Sequence, residues 1–257
     1  MAFGTDPRVA RAHGLGARAA AGEIDEGLRS YMLSVYNYMG LALVITGLVS
    51  FVVASTPALY GPIFGSPLKW VVMLAPLGFI FFLGARIQSM SVSTAQMTFW
   101  AFAAVMGLSL ASVFLVFTGQ SVARVFFITA ATFGAVSLYG YTTKRDLSQF
   151  GSFLFMGLIG IVIASVVNIF LASSALQFAV SVIGVLVFTG LTAYDTQRIK
   201  EEYYAGHDGE VSSKNAIMGA LGLYLNFINL FMMLLQLLGI GTQAADPKLD
   251  HMPLLGE

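Results

Sequence analysis

The sequence predicts an all-α, polytopic membrane protein: seven transmembrane helices with the last helix central. Three observations carry this. The 257-residue chain is 57% hydrophobic and only 10% charged, against about 45–50% apolar and about 25% charged in an average soluble domain. Its mean hydropathy is +0.81. Its apolar residues form continuous runs near the roughly 20 residues that cross a hydrocarbon core as a helix, not the alternating segments of a barrel.

The runs are Tyr31–Ser55, Lys69–Arg86, Val92–Phe117, Val122–Tyr141, Gly151–Ala172, Ala175–Arg198 and Ala216–Gly239. Residues 56–67 (TPALYGPIFGSP) break the first two apart with three prolines and two glycines, which stop helices and build turns. The stretches 142–150 and 199–215 are polar breaks, and the gaps after 117 and 172 are short enough to make antiparallel neighbours. The organisation is therefore a mobile cytosolic tail over 1–30, a membrane domain over 31–239 and a short polar tail over 240–257. In the third span Ala103, Gly107 and Ala111 form a small-residue seam for close backbone approach. In the seventh, Gly219, Gly222, Asn226, Asn229, Met233 and Gln236 form one stripe of mostly small or polar groups on an otherwise apolar helix. Such a stripe faces protein or water, which puts this helix at the centre.

Composition removes several function classes. Lys+Arg and Asp+Glu number 13 each, so no basic field exists for nucleic acid. With no cysteine there is no disulfide or thiolate metal site. His13, His207 and His251 all lie outside the apolar runs, so no membrane histidine activates a serine, and no HExxH metalloprotease motif occurs. The last span lacks the lysine a retinal receptor needs. The chain reads as a non-enzyme without a cofactor.

Polar groups inside apolar runs are then the candidates, because an ionisable side chain at a helix centre costs about 2.5–3.5 kcal/mol on insertion scales and is retained facing a cavity or a partner. Asp195 in LTAYDTQRIK lies one turn before Arg198 and Lys200. It is either a headgroup-zone carboxylate bonded to Thr192 or a neighbouring amide, or a functional group inside the bundle. Arg86 ends the second span, where it snorkels to the interface or pairs with Asp195. Asn226 and Asn229 are interhelical glue or ligands. Depth is the difficulty: Asp195 is five residues from Lys200, about 7.5 Å of helix, whereas Asn226 is twelve from Lys214, about 18 Å. They meet only if the seventh helix begins a turn or two outside the hydrocarbon.

Four stretches, TKRDLSQFGSFLFMGLIG (143–160), NIF (168–170), AYDTQRIK (193–200) and LGLYLNFINLFMMLLQLLG (221–239), together resemble a bacterial member of the transmembrane Bax inhibitor motif (Bax inhibitor-1) family over about residues 30–240. The resemblance implies seven helices with the last surrounded by the other six, and a pH-sensitive calcium leak. Two carboxylates, one in each of the last two spans, share a proton and gate it, and an arginine of the second span latches one of them. Asp195 matches the first carboxylate and Arg86 the arginine. The family's LYLDFINLF has Asn226 at its aspartate here, and its LLRLLG has Gln236 at its arginine. The implied function is a membrane cation (calcium) leak channel with weakened pH gating. Asp195, Asn226, Arg86 and Asn229 form the ion pathway, and Asp195 is a weak, transient calcium ligand, since one carboxylate is too little for tight binding. The alternative is a non-conducting regulator that binds a membrane protease or another membrane protein. The remaining partners are the lipid bilayer and the passing calcium ions.

Basic residues near the spans number eight on the N-terminal side and three (Lys69, Arg124, Lys248) on the other. The positive-inside rule puts the N-terminus in the cytoplasm of a bacterial inner membrane and residues 240–257 outside. A reporter fused after Gly241 is expected to signal on the outer side, and cytosolic signal would reverse the orientation.

Overall fold

The computed structural model describes residues 7–203 and 208–240, with side chains from residue 26 onward. Among the described residues all regular structure is helical. Most of the expected N-terminal tail, the expected C-terminal tail beyond Ile240, and His13, His207 and His251 lie outside the described side chains. The elements are α1 (Pro7–Ala54), α2 (Pro57–Phe64), α3 (Leu68–Arg86) with a 3-10 turn at Ile87–Ser89, α4 (Val92–Val116), α5 (Gly119–Thr142), α6 (Ser148–Leu171), α7 (Ser174–Glu201) and α8 (Gly209–Leu238). Seven are long and apolar enough to cross a membrane: α3 to α8 and the Glu26–Ala54 part of α1.

Hydroxyls and a carboxylate start the helices. Ser91, Thr118, Ser173 and Asp208 accept from the N–H groups of Thr94, Ser121, Leu176 and Val211 at the starts of α4, α5, α7 and α8. The α6–α7 hairpin turns through Ala172, whose φ of 49° is left-handed. Asn168 holds that turn, its side-chain oxygen accepting from Ser173 N at 3.0 Å. One expectation is corrected. The proline-rich stretch 56–67 is not only a turn, because Pro57 starts the eight-residue α2. Proline at the first helical position removes an N–H that would lack a partner anyway and presets φ.

The last helix is central. Half of the most apolar stretch of α8 is buried, against 11–39% for the other six spans, and α8 packs on α1, α4, α5 and α7. Its expected stripe faces α7: Ile199 lies on Gly219, Asp195 meets Asn226, Met233 fills the space over Gly184, and Gln236 bonds Gln177 and Ser181. The α4 seam faces α1. Thr46 and Ser50 donate to the carbonyls of Ala103 and Gly107 at 2.9 and 2.8 Å, and a Cβ on Gly107 would stand 2.8 Å from Thr46 O. Tyr224 of α8 joins the same network through Thr46 at 2.7 Å. Helices in lipid associate by such close approach and interhelical bonding, not by exclusion of apolar surface from water.

The two ends differ in their content of Lys and Arg. Hydrogen bonds of Lys200 to Tyr141 O and of Lys214 to Gln88 O bring the ends of α5 and α3 beside those of α7 and α8. That end carries Arg29, Arg86, Lys144, Arg145, Arg198, Lys200 and Lys214. The opposite end, where Thr118 N donates to Ile240 O, carries Lys69 and Arg124.

The tightest approach is between α5 and α7, where a Cβ on Gly140 would lie against Ala193 O and 2.9 Å from Ala193 Cα. Backbone cannot yield as a side chain can. Gly140→Ala is therefore expected to lower stability by about 1–3 kcal/mol, the usual cost of overpacking. Gly160→Ala, where a Cβ meets nothing within 4 Å, is expected to be neutral or better. Thermal unfolding in detergent checks both, and equal shifts for the two would refute the packing argument.

Candidate functional site

The C-terminal third of α7 directs four polar side chains towards α5, the α5–α6 loop and α8, and each finds a partner. Asp195 reaches α8: Asn226 Nδ2 donates to its Oδ2 at 2.7 Å. Thr196 reaches α5 through Ser137 at 2.9 Å, and Ser137 continues to Tyr36 of α1 at 2.7 Å. Gln197 holds the α5–α6 loop at both ends of its amide, donating to Arg145 O at 2.9 Å and accepting from Leu147 N at 2.8 Å. Lys200 donates to Tyr141 O at 2.8 Å and sits over the Tyr141 ring. In the same loop the Ser148 hydroxyl and N–H hold the exposed Asp146 carboxyl below its ordinary range.

Asp195 is the centre of this arrangement. It is 9% exposed, and its second oxygen is 3.0 Å from Arg198 Nη2, one turn on along the same helix. Arg198, half exposed, also reaches Glu202 at 3.5 Å. The carboxylate borders a cavity of about 390 Å³ between α6, α7 and α8, which Ser152, Tyr194, Arg198 and Asn226 also line. Gly151 makes the α6 wall possible, since a Cβ there would stand 2.8 Å from the Tyr194 ring.

Of the four expected site residues, the structure joins two. Asp195 and Asn226 meet, and α8 resolves the depth difficulty by starting at Gly209, seven residues before the expected Ala216. Asn229 does not join them, because its Nδ2 bonds Leu225 O of its own helix at 2.8 Å. Arg86 is corrected as a partner of Asp195. It is exposed at the end of α3, a helix that packs on α4 and not on α7, and among the described residues the cation on Asp195 is Arg198. The i,i+3 spacing of Asp195 and Arg198 was a visible signal for that pair. Lys214 was missed as well. Its side chain is buried, pairs with Glu210 at 2.7 Å and donates to Gln88 O at 3.2 Å.

A second polar cluster lies at the opposite end. Asn168 donates to Gln177 at 3.1 Å, and Gln177 and Ser181 both donate to Gln236 Oε1, at 2.6 and 2.8 Å. Asn226 and Gln236 are ten residues apart, about 15 Å along α8. Between the clusters the α6–α7–α8 contact is apolar, formed by Ile161, Val187, Phe188, Leu191 and Leu230. Among the described residues no group of three or more His, Cys, Asp or Glu could hold a metal ion.

Fold and site define a seven-helix membrane protein with a buried carboxylate between its last two helices. The family model described as Inhibitor of apoptosis-promoting Bax1 matches residues 28–243, and the chain belongs to that family. It is 51% identical over 215 residues to the uncharacterized protein RP147 of Rickettsia prowazekii, covering 84% of this chain and 91% of that one. It is 48% identical over 216 residues to the inner membrane protein YbhL of Escherichia coli, covering 83% and 92%. An uncharacterized membrane protein of Streptococcus pyogenes, SpyM3_0260, is 31% identical over 227 residues, covering 84% and 94%.

The geometry ranks the contributions of these side chains. Asn226→Ala removes a buried bond to a charged group, expected to cost about 1.5–3 kcal/mol. Arg198→Ala, at the half-exposed ion pair, is expected to cost about 1 kcal/mol or less, and Arg86→Ala within about 0.5 kcal/mol of nothing. In double-mutant cycles Asp195 should couple to Asn226 and be additive with Arg86. Coupling to Arg86 instead would restore the latch that the family resemblance implies.

Proposed function

We propose that this chain is a cation leak of a bacterial inner membrane, with calcium as the passing ion and the basic end of the bundle cytoplasmic. The observation that carries the proposal is Asp195: a carboxylate at the wall of a cavity, on the helix interface that has polar clusters at both ends. The inner-membrane name of YbhL supports the membrane, and the excess of Lys and Arg at one end supports the orientation.

In this arrangement the path is closed. Arg198 occupies the position a cation would take on Asp195, and the apolar contact around Phe188, Leu191 and Leu230 excludes water beyond it. Opening requires Arg198 to swing out, which its half-exposed position allows, and α7 to part from α8 across the apolar contact. Asp195, with the side-chain oxygens of Asn226 and Ser152 and with water, then offers a calcium ion hard oxygen ligands. One charge among them binds weakly, as a leak requires.

Asn226 bears on pH. Two carboxylates at this distance would share a proton, because both cannot easily ionise together. The amide donates a bond in place of that proton. Calcium flux into liposomes holding the full chain is therefore expected to vary little between about pH 6 and 8. Asn226→Asp should bring a pH response towards neutrality, and Arg198→Gln should raise flux at every pH. A wild-type response centred near pH 7 and unmoved by Asn226→Asp would place the sensor elsewhere. Folded protein that passes no calcium at any pH would instead favour the non-conducting regulator of a membrane protease or another membrane protein.

A further inference from the structure

A cavity larger than the one at Asp195 lies elsewhere in the bundle. It has a volume of about 750 Å³, lies between α1 and α5, and extends from Arg29 and Tyr141 at the basic end to Tyr36 and Phe133. Arg29 to Tyr36 is seven residues, about 10 Å of helix, so the groove descends from the headgroup level partway into the bilayer. Its cause is topological. α1 packs on α4 and α8, and α5 packs on α7 and α8, but α1 and α5 are not packed on each other. A bond between Tyr36 and Ser137 ties them at the groove floor. The flanks are apolar and turned outward: Leu33 is 52% and Leu138 62% exposed, and a Cβ on Gly134 would meet nothing within 4 Å.

We propose that this groove binds one anionic phospholipid of the cytoplasmic leaflet, its phosphate on Arg29 and one acyl chain lying over Gly134 between Leu33 and Leu138. Charge complementarity and depth select this occupant. Arg29 stands at the mouth, and Lys200 donates to the carbonyl of Tyr141, another lining residue. Below them the walls offer only methylene and aromatic surface with hydroxyls already paired at the floor. A basic mouth over an apolar, laterally open cleft matches an acidic headgroup on an acyl chain, and the volume lies within the roughly 300–1,000 Å³ of pockets that enclose ligands. A soluble anion would leave the apolar walls unfilled. The groove and the Asp195 cavity share no lining residue.

Native mass spectrometry of the full chain in detergent, titrated with dioleoylphosphatidylglycerol or dioleoylphosphatidylcholine, tests it. The expected result is one tightly held phosphatidylglycerol, with phosphatidylcholine weaker. Arg29→Gln should weaken phosphatidylglycerol about fivefold, the effect of one cation near an anionic surface, and leave phosphatidylcholine unchanged. Gly134→Phe should fill the groove and abolish tight binding of both. Leu138→Trp should do the same, which keeps the test decisive if one filling variant misfolds. Gly160→Phe, on an equally open glycine of α6, should change nothing. Equal affinity for the two lipids, or phosphatidylglycerol binding that survives both filling substitutions, would overturn the proposal. So would loss on Arg29→Gln with no loss on filling, which would mean headgroup adsorption to the basic end alone.

Discussion

A charge placed inside a helical bundle in lipid must find its donors within the protein, because no water is there to supply them. Asp195 is that charge. Its two oxygens take one bond from α8 and one ion pair from its own helix, and this requirement fixes much around it. Asn226 must stand at its depth, so α8 must start early, at Gly209. The two helices must be close, so small residues line the contact at Gly219 and Gly184. The next turn of α7 is bound just as fully, through Thr196, Gln197 and Lys200 to α5 and the α5–α6 loop. The polar end of α7 thus acts as one anchored block, and the freedom of α7 lies in the apolar half beyond Leu191.

That division bears on how the bundle could change state. Apolar contacts in lipid have little preference for each other over acyl chains, so parting Phe188 and Leu191 from Leu230 is opposed mainly by lost packing. Parting Asp195 from Asn226 leaves a charged group short of a donor, which is far costlier. Any opening between α7 and α8 therefore pivots about the Asp195–Asn226 bond unless another donor or a cation takes the amide's place. The amide cluster at the opposite end does not anchor in the same way. Gln236 is exposed and uncharged, so its bonds to Gln177 and Ser181 can be exchanged for headgroups or water.

Much of the fold was legible because span length, prolines and polar breaks act locally. All seven runs coincide with helices to within a few residues at most ends, and the central position of α8 followed from its stripe. The boundary difference at the start of α8 arose because residues 209–215 are polar and helical at once. Hydropathy sees only the first property, while Asp208 capping Val211 N reveals the second. The site was half legible. Asp195 and Asn226 were visible as costly groups in apolar runs, and their spacing from Lys200 and Lys214 stated what the backbone had to do for them to meet. Arg86 was misassigned because equal depth was taken for proximity. Two spans can end at one interface on different sides of a bundle, and sequence carries no information on azimuth. Arg198 was nearer in the chain and needed only helical geometry. The α1–α5 groove was not legible at all, since it lies between two helices far apart in sequence that meet through the Tyr36–Ser137 bond at its floor.

The paired departures at Asn226 and Gln236 acquire a physical meaning from their positions. Both changes, aspartate to asparagine and arginine to glutamine relative to the family pattern, neutralise a charge on α8, so the net charge of the helix is kept. They are not the two halves of one ion pair, because about 15 Å of helix and the apolar contact around Leu230 separate them. Each must instead be compensated locally. At the end near Lys200 the amide of Asn226 becomes a donor to Asp195, so one carboxylate is satisfied where two would have needed a shared proton. At the opposite end the Gln236 carbonyl becomes an acceptor for Gln177 and Ser181, two donors that a guanidinium could not have served. Each cluster is internally satisfied with the residues present. The neutral pair is therefore a coherent alternative wiring of the same helix interface, in which the bundle holds together without a titrating dyad and its single remaining buried acid is kept company by Arg198.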